Sequence, residues 1–267
     1  MGKRRLTLLL SLLYTVLLGV VVLSLAVLAA VAGLMLAQRW IPLELRKSHN
    51  VTIGLIYAAL HVTFGVIIGF SAYIALNKYT MAQQTVVNEA GAVRSIYHLA
   101  REFPEPQRDQ IQQLAPSYAR AVVDEEWPLM QKGQTSSHAT SLTEQLRESI
   151  DSLEPSTSAE QVRYTEVLER TNELLLHRDA RLLDVREGLP PILWVVLVTL
   201  AVTIILFTYF LGMDSARLHV VAVAALTAGI AFTIFAIVTL DSPFGGELRV
   251  NSAAFELVLQ EIEGASE

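Results

Sequence analysis

Long apolar runs frame one polar segment in this chain. Four runs contain no Asp, Glu, Lys or Arg: Leu6–Ala37, Val51–Leu76, Ile192–Leu211 and Leu218–Leu240. Each exceeds the roughly 18 residues that a helix needs to cross a bilayer, so the pattern predicts four transmembrane helices. The first run is far longer than the roughly 7–15-residue apolar core of a signal peptide, so we predict a retained membrane helix.

The polar segment 77–188 predicts a helical domain inserted between transmembrane helices 2 and 3. No proline occurs from Asn77 to Phe103, so we expect the second membrane helix to continue out of the bilayer until Pro104 and Pro106 end it. Further helices are expected over 107–126, 139–153 and 158–187.

Local signals predict where these helices begin, end and pack. Trp127-Pro128 is expected to end the helix over 107–126, and Ser158 with Gln161 has the spacing of a capping box. Leucines recur every seven residues at Leu168, Leu175, Leu182 and Leu189. This spacing favours an apolar seam packed on the extended second helix, with an intermolecular coiled coil as the alternative.

Composition supports a membrane protein. The chain is 52% hydrophobic with a mean hydropathy of +0.44, which is too apolar for an ordinary soluble domain. We therefore predict an all-α, polytopic membrane protein with four segments. Residues 1–76 hold transmembrane helices 1 and 2, 77–188 the extramembrane domain, 189–240 helices 3 and 4, and 241–267 a turn and a short amphipathic helix.

Charge limits the partners and suggests an orientation. Residues 77–188 contain 12 Lys/Arg and 18 Asp/Glu, and so acidic a domain argues against nucleic acid as a partner. Lys3, Arg4 and Arg5 favour a cytoplasmic N-terminus, which places both termini and the 77–188 domain in the cytoplasm. Arg39, Arg46, Lys47 and Arg217 in the short connections favour the opposite orientation.

Catalytic and metal-binding patterns are absent from the sequence. It has no cysteine, no Walker A loop and no H-E-x-x-H motif, and its six histidines lack metal-ligand spacing. We therefore predict neither an enzyme nor a cofactor or metal site. The acidic run Asp124–Glu126 is expected to be a solvated helix end, with a divalent-ion or partner contact as the alternative.

Several strings resemble one family in order and spacing. They are "SHNVTIGLIYAALHVTFGVIIGF" (48–70), "EAGAVRSIYHLA" (89–100), "YARAVVDEEWPLMQKG" (118–133), "GLPPILWVVL" (188–197) and "LDSPFGGELRVNSAAFELVL" (240–259). Together they resemble the bacterial bestrophin-like membrane proteins. The resemblance implies a pentameric channel of a bacterial inner membrane, conducting small anions such as chloride, with transmembrane helix 2 lining the pore. The alternative is a non-conducting scaffold or sensor that binds a protein partner through 77–188.

Four residues of the second apolar run, and Asn50 immediately before it, are candidates for the pore wall or gate. His61 lies near the middle of the run, with Gly65 one turn later. It is either a neutral histidine hydrogen-bonded across a tight helix pair or a pore-lining, pH-sensing group. Phe64 and Ile68 are either apolar constrictions or ordinary packing residues. Asn50 is either the N-cap of this helix or part of the pore mouth.

A turn follows the last apolar run. Asp241 ends the run, Pro243 prevents the helix from continuing, and two glycines follow. A carboxylate at a helix C-terminus is disfavoured by the helix dipole, so Asp241 needs a partner. Arg249 is the nearest basic residue, and we predict an Asp241–Arg249 contact that holds the turn.

Overall fold

A computed structural model describes residues 2–184, 188–245 and 249–264, with side chains from residue 13 onward. Every regular element in this part of the chain is a helix, as predicted. The α-helices are α1 (Gly2–Trp40), α2 (Leu43–Ser48), α3 (Asn50–Ala100), α4 (Gln107–Ala121), α5 (Trp127–Met130), α6 (Ser137–Asp151), α7 (Ser158–Asp184), α8 (Pro191–Tyr209), α9 (Ala216–Asp241) and α10 (Ala253–Gly264). A π-helical turn, Val122–Glu126, joins α4 to α5.

The chain forms two compact units. The membrane unit comprises Met1–Asn77 and Leu189–Asp241, and the helical unit comprises Lys78–Gly188 and Ser242–Glu267. Among the described residues, four helices are long and apolar enough to cross a membrane: α1, α3, α8 and α9. The C-terminal segment therefore belongs to the helical unit, although it follows the last membrane helix in sequence.

In the membrane unit, α1 packs against α8 and α9. Ala30 and Leu34 lie against Tyr209 and Val223 in one apolar cluster. The Tyr209 hydroxyl donates a 2.8 Å hydrogen bond to the Ala30 carbonyl. A Cβ on Gly33 would lie 2.6 Å from that hydroxyl oxygen, so a larger residue would force the Tyr209 side chain to shift.

The connections at the α2 end of the membrane unit are tied together by polar contacts. Lys47 forms an ion pair with Asp214. The Asn50 side chain donates to the Gly212 carbonyl at 2.9 Å and accepts from the Gly212 amide at 2.7 Å. A Cβ on Gly212 would lie 2.6 Å from the Lys47 amide nitrogen, so only glycine fits without a shift.

In the helical unit, one predicted helix end differs from the structure. The α3 helix runs unbroken to Ala100, as predicted. The chain does not leave the helix at Trp127-Pro128, because the π-helical turn leads directly into α5, which ends at Met130. Pro128 lies in the first turn of α5, where a missing amide is tolerated.

The capping box of α7 lies one residue earlier than predicted. Thr157, rather than Ser158, accepts from the Glu160 amide through its hydroxyl at 3.2 Å. The Glu160 carboxylate accepts in return from the Thr157 amide at 3.2 Å. The helix begins at Ser158, so the threonine is the true cap.

The buried stripe of α7 is also offset by one residue from the leucine repeat. Leu168, Leu175 and Leu182 are only half-buried at the core edge, and Leu189 belongs to the membrane unit. The buried positions are Val167, Thr171, Leu174, Arg178 and Arg181. The seam packs inside the chain's own core, but it carries two arginines.

The C-terminal helix α10 completes this core. Its buried residues Phe255, Val258 and Ile262 share one apolar cluster with Tyr118 and Trp127. The Phe255 ring makes edge-to-face contacts with both of those aromatic rings. The amphipathic face predicted for the C-terminal segment therefore packs on the helical unit.

Candidate functional site

The membrane half of α3 is the least enclosed of the four long apolar helices. Only 6% of its most apolar 18-residue window is buried, against 28% in α8. Six of its exposed apolar residues recur three, four or seven positions apart: Val51, Leu55, Val62, Val66, Phe70 and Tyr73. They form one continuous exposed face, which we call the open face of α3.

His61 lies at the edge of the open face and is half-buried. Its Nδ1 donates a 2.8 Å hydrogen bond to the Tyr57 carbonyl one turn earlier. Its ring packs edge-to-face against the Tyr57 ring, with centroids 4.0 Å apart. The hydrogen bond to Tyr57 lies within α3, and a hydrogen bond from His61 across a helix pair stays a prediction.

The residues near His61 lie on different sides of the helix. Phe64 is only 6% exposed and packs with Leu197 of α8 and Ile230 of α9. Ile68 is half-buried at the margin of the same cluster. Gly65 is exposed, and a Cβ added there would meet no atom within 4 Å.

Asn50 does not cap α3. Both polar atoms of its side chain bond to the backbone of Gly212, in the α8–α9 connection. These bonds also satisfy the Asn50 side chain within the protomer. Asn50 thereby holds the start of α3 against the α8–α9 connection. The sequence did not predict this contact, because Gly212 is distant from Asn50 along the chain.

Asp241 has a backbone partner in the membrane unit. Its carboxylate accepts a 2.5 Å hydrogen bond from the Leu189 amide, two residues before α8. In the helical unit, the Pro243 carbonyl accepts from the Val250 amide at 2.8 Å, which closes the turn that follows. Asp241 and Arg249 belong to different units, and their contact stays a prediction.

The helical unit contains a buried cluster of charges that the sequence reasoning missed. Arg181 donates to Glu89 through Nε at 2.6 Å and through Nη2 at 2.8 Å. Its Nη2 also donates to Glu126 at 2.7 Å. Arg178 donates to the other oxygen of Glu126 at 2.7 Å. We call these four residues the charge cluster.

Neighbouring side chains complete the charge cluster. The Tyr118 hydroxyl donates to Glu89 at 2.5 Å, and the Arg181 guanidinium lies 5.4 Å from the centroid of the Trp127 ring. Burial, and then the negative charge of Glu89, raise the pKa of Tyr118 well above its usual range. Burial disfavours the charge of Arg181, but its carboxylate partners hold its pKa above the ordinary value.

The charge cluster corrects the expectation for the acidic run. Asp124 and Glu125 are exposed, but Glu126 is fully buried between Arg178 and Arg181. The π-helical turn ends at Glu126, whose side chain points into the core. With two carboxylates and two guanidinium groups, the cluster is formally neutral. No group of three potential metal ligands occurs in the part of the chain that the structure describes.

Sequence and structure comparisons agree on one family. A family model for the Bestrophin-like domain matches residues 24–255. A bacterial Bestrophin homolog from Klebsiella pneumoniae superposes with a TM-score of 0.66 at 11% identity, covering 90% of this chain and 97% of that chain. A single-substitution variant of the homolog gives 0.69 at 12% identity, covering 92% and 97%. Comparison with curated protein sequences gave no match.

Proposed function

Because this chain belongs to the Bestrophin-like family, we propose that it forms a homo-oligomeric ion channel lined by α3. By family resemblance, the assembly is a pentamer that conducts small anions such as chloride. The membrane is a bacterial inner membrane, crossed four times, with both termini and the helical unit in the cytoplasm.

The open face of α3 is the observation that carries this proposal. An isolated protomer leaves Val62 69% exposed and Val66 67% exposed, although both lie in the middle of a membrane helix. A helix in the core of a bundle would bury such a face. In a ring of protomers, the open faces would surround a central pathway, and Gly65 and Gly69 would let neighbouring helices approach closely.

We propose that Val62, Val66 and Phe70 form the narrow part of the pathway. They are spaced one helical turn apart on the open face. Rings of apolar side chains gate ion channels by excluding water from a narrow section. Ile68 and Gly65 would lie at the margin of this wall. Phe64 would stand behind it, holding α3 against α8 and α9.

His61 supplies the positive charge in this proposal. Between residues 51 and 76 there is no Lys or Arg, so histidine is the one side chain there that can become cationic. Histidine changes charge in the physiological pH range. Protonation of its ring would place a positive charge beside the pathway and favour anions. Asn50 would act at the helix entry by fixing the start of α3 to Gly212.

Planar-bilayer recording of the purified full-length protein tests the channel. We expect anion-selective currents, measured as the reversal potential in a KCl gradient, and a larger conductance at acidic pH. The double variant Val62→Ala/Val66→Ala should raise single-channel conductance several-fold, because it widens the apolar constriction. His61→Ala should remove the pH response.

A matched control distinguishes a wider pore from a general loss of packing in the membrane unit. Val198→Ala/Val202→Ala makes the same substitutions at the same spacing on exposed positions of α8 and should leave the conductance unchanged. A folded oligomer that stays silent would refute the channel. Equal effects of the two double variants would refute α3 as its wall, and an unaltered pH response in His61→Ala would refute the role of that residue.

One observation favours the scaffold as a second candidate. On α7, Val162, Leu176 and Leu183 are exposed apolar residues at multiples of seven positions, with Leu176 66% exposed. These residues share one side of a helix outside the membrane unit, and an apolar surface there is a candidate for a protein contact. Leu176→Glu should dissociate the homo-oligomer if the row joins copies of the chain. An unchanged native mass of Leu176→Glu, together with silence in bilayers, would favour a partner-binding scaffold.

A further inference from the structure

Arg46 is a buried cation that forms no ion pair with any residue that the structure describes. It lies on the short helix α2 and is only 6% exposed. Among the described residues, neither its Nε nor its Nη1 has a hydrogen-bond partner. Arginine does not lose its proton in proteins, so Arg46 cannot become neutral to suit its surroundings. Burying an unpaired charge costs free energy, so an anion from outside the protomer would stabilise the Arg46 guanidinium.

The polar groups around Arg46 are engaged elsewhere. Asp214 is paired with the neighbouring Lys47, and Glu44 on α2 is exposed to the outside. His219 is buried but uses Nε2 to donate to the Thr208 carbonyl at 3.0 Å. Its Nδ1 lies 3.5 Å from the Gln38 amide nitrogen. None of these groups supplies a negative charge to Arg46.

Arg46 lines a groove whose other walls are mostly apolar. The groove has a volume of about 350 Å³, which is in the range of about 300–1,000 Å³ typical of ligand sites. Its remaining lining residues are Ile41, Leu45, His49, Ile53 and Phe210. A free inorganic anion gains nothing from these apolar walls. A ligand with both a negative headgroup and a hydrocarbon chain matches the charge and the walls together.

The position of the groove points to a lipid. Trp40, at the end of α1, is 77% exposed, and tryptophan is enriched where membrane helices meet the headgroup layer. Arg46 follows six residues later. We propose that this groove binds one phospholipid, with its phosphate on the Arg46 guanidinium and an acyl chain along Ile41, Ile53 and Phe210.

The experiment uses the full-length protein, purified in detergent and stripped of lipid. Dioleoylphosphatidylglycerol, dioleoylglycerol and inorganic phosphate are titrated separately, and the midpoint of thermal unfolding and the lipid count by native mass spectrometry are recorded. We expect a rise in the midpoint with the phospholipid only, because a ligand that binds the folded state stabilises it. Arg46→Gln should weaken the apparent affinity about ten-fold, the equivalent of one charged hydrogen bond.

Arg39→Gln is the matched control, since it removes an exposed charge at the same end of α1 and should bind as the wild type does. Arg46→Lys keeps the charge and should bind with intermediate affinity, which covers the case in which Arg46→Gln fails to fold. If the phospholipid neither binds the wild-type protein nor raises its unfolding midpoint, the proposal is wrong. A second copy of the chain is then left as the group that covers Arg46. Equal stabilisation by dioleoylglycerol or by inorganic phosphate overturns it as well, as do equal losses in Arg46→Gln and Arg39→Gln.

Discussion

The two units of the molecule treat buried charge and apolar surface in opposite ways. In the helical unit, Arg181 and Glu89 are both fully buried and are joined by two hydrogen bonds. In the membrane unit, the buried Arg46 has two nitrogens without a partner among the described residues. The helical unit also buries long stripes of its helices, whereas α3 keeps an open apolar face in the membrane unit.

The difference indicates where each unit finds its missing contacts. The helical unit pairs both Arg178 and Arg181 with carboxylates, although Arg178 Nε has no hydrogen-bond partner among the described residues. The membrane unit leaves an apolar face and a cation for other molecules to cover. Lipid and further copies of the chain are the groups that a bilayer offers for this purpose. Substitutions in the two units should therefore differ in size and in their response to lipid.

The largest effect is expected from Arg181→Met. It removes one guanidinium and leaves Glu89 without its ion pair in the core. Breaking a buried ion pair on one side destabilises a protein by about 3–5 kcal/mol. Hydrogen–deuterium exchange should show faster exchange in peptides from α4 and α7, with little change in α8 and α9.

The surface pair Arg170–Glu173 provides the control for this prediction. Glu173→Gln removes one partner of an exposed ion pair, and exposed pairs contribute little because solvent screens them. Its exchange pattern should match the wild type. Wild-type exchange in Arg181→Met as well would show that the charge cluster does not hold the helical unit together.

Much of the fold follows from features that act locally in the sequence. The four membrane helices were predicted from apolar runs, because bilayer thickness sets a minimum length for a spanning helix. The end of α3 was predicted from Pro104 and Pro106, because proline cannot donate the backbone hydrogen bond of a helix interior and disfavours a helical conformation in the residue before it. The π-helical turn before Trp127 was missed, since no local signal distinguishes it from a continuous α-helix.

The candidate sites depend on contacts between distant residues, and the sequence alone predicted less of them. Glu89 and Arg181 are 92 residues apart, and nothing near either one shows that they pair. The one sequence feature that points to a buried charge is the position of Arg178 and Arg181 in the buried stripe of α7. That stripe is shifted by one residue from the leucine repeat. Similarly, the membrane half of α3 carries no charged residue on any side, so its open face is defined only by where α8 and α9 pack.

An intermediate effect is expected from Gly212→Ala in the membrane unit. The added Cβ would lie 2.6 Å from the Lys47 amide nitrogen and 2.9 Å from the Arg46 carbonyl carbon. Backbone atoms cannot move aside as a flexible side chain can, and overpacking of this kind costs about 1–3 kcal/mol. The midpoint of thermal unfolding should fall, and bound phospholipid should fall with it, because α2 carries Arg46.

Gly229→Ala is the control for this substitution. Gly229 lies within α9, and a Cβ there would meet no atom within 4 Å. Alanine also suits a helix better than glycine. The unfolding midpoint of Gly229→Ala should equal or exceed that of the wild type. Equal midpoints for Gly212→Ala and the wild type would mean that the two connections are not held in close contact.

The smallest effect concerns the exposed start of α7, where the sequence and the structure favour different caps. Thr157→Ala removes the hydroxyl that accepts from the Glu160 amide, and loss of an N-cap costs about 0.5–2 kcal/mol. Ser158→Ala, at the position predicted from the sequence, should cost almost nothing. Exchange of the Glu160 amide reports on this cap directly, and it should accelerate only in Thr157→Ala. Faster exchange in Ser158→Ala alone would restore the sequence-based assignment. The effect of Thr157→Ala should not depend on lipid, because the cap lies in the helical unit and not in the membrane unit.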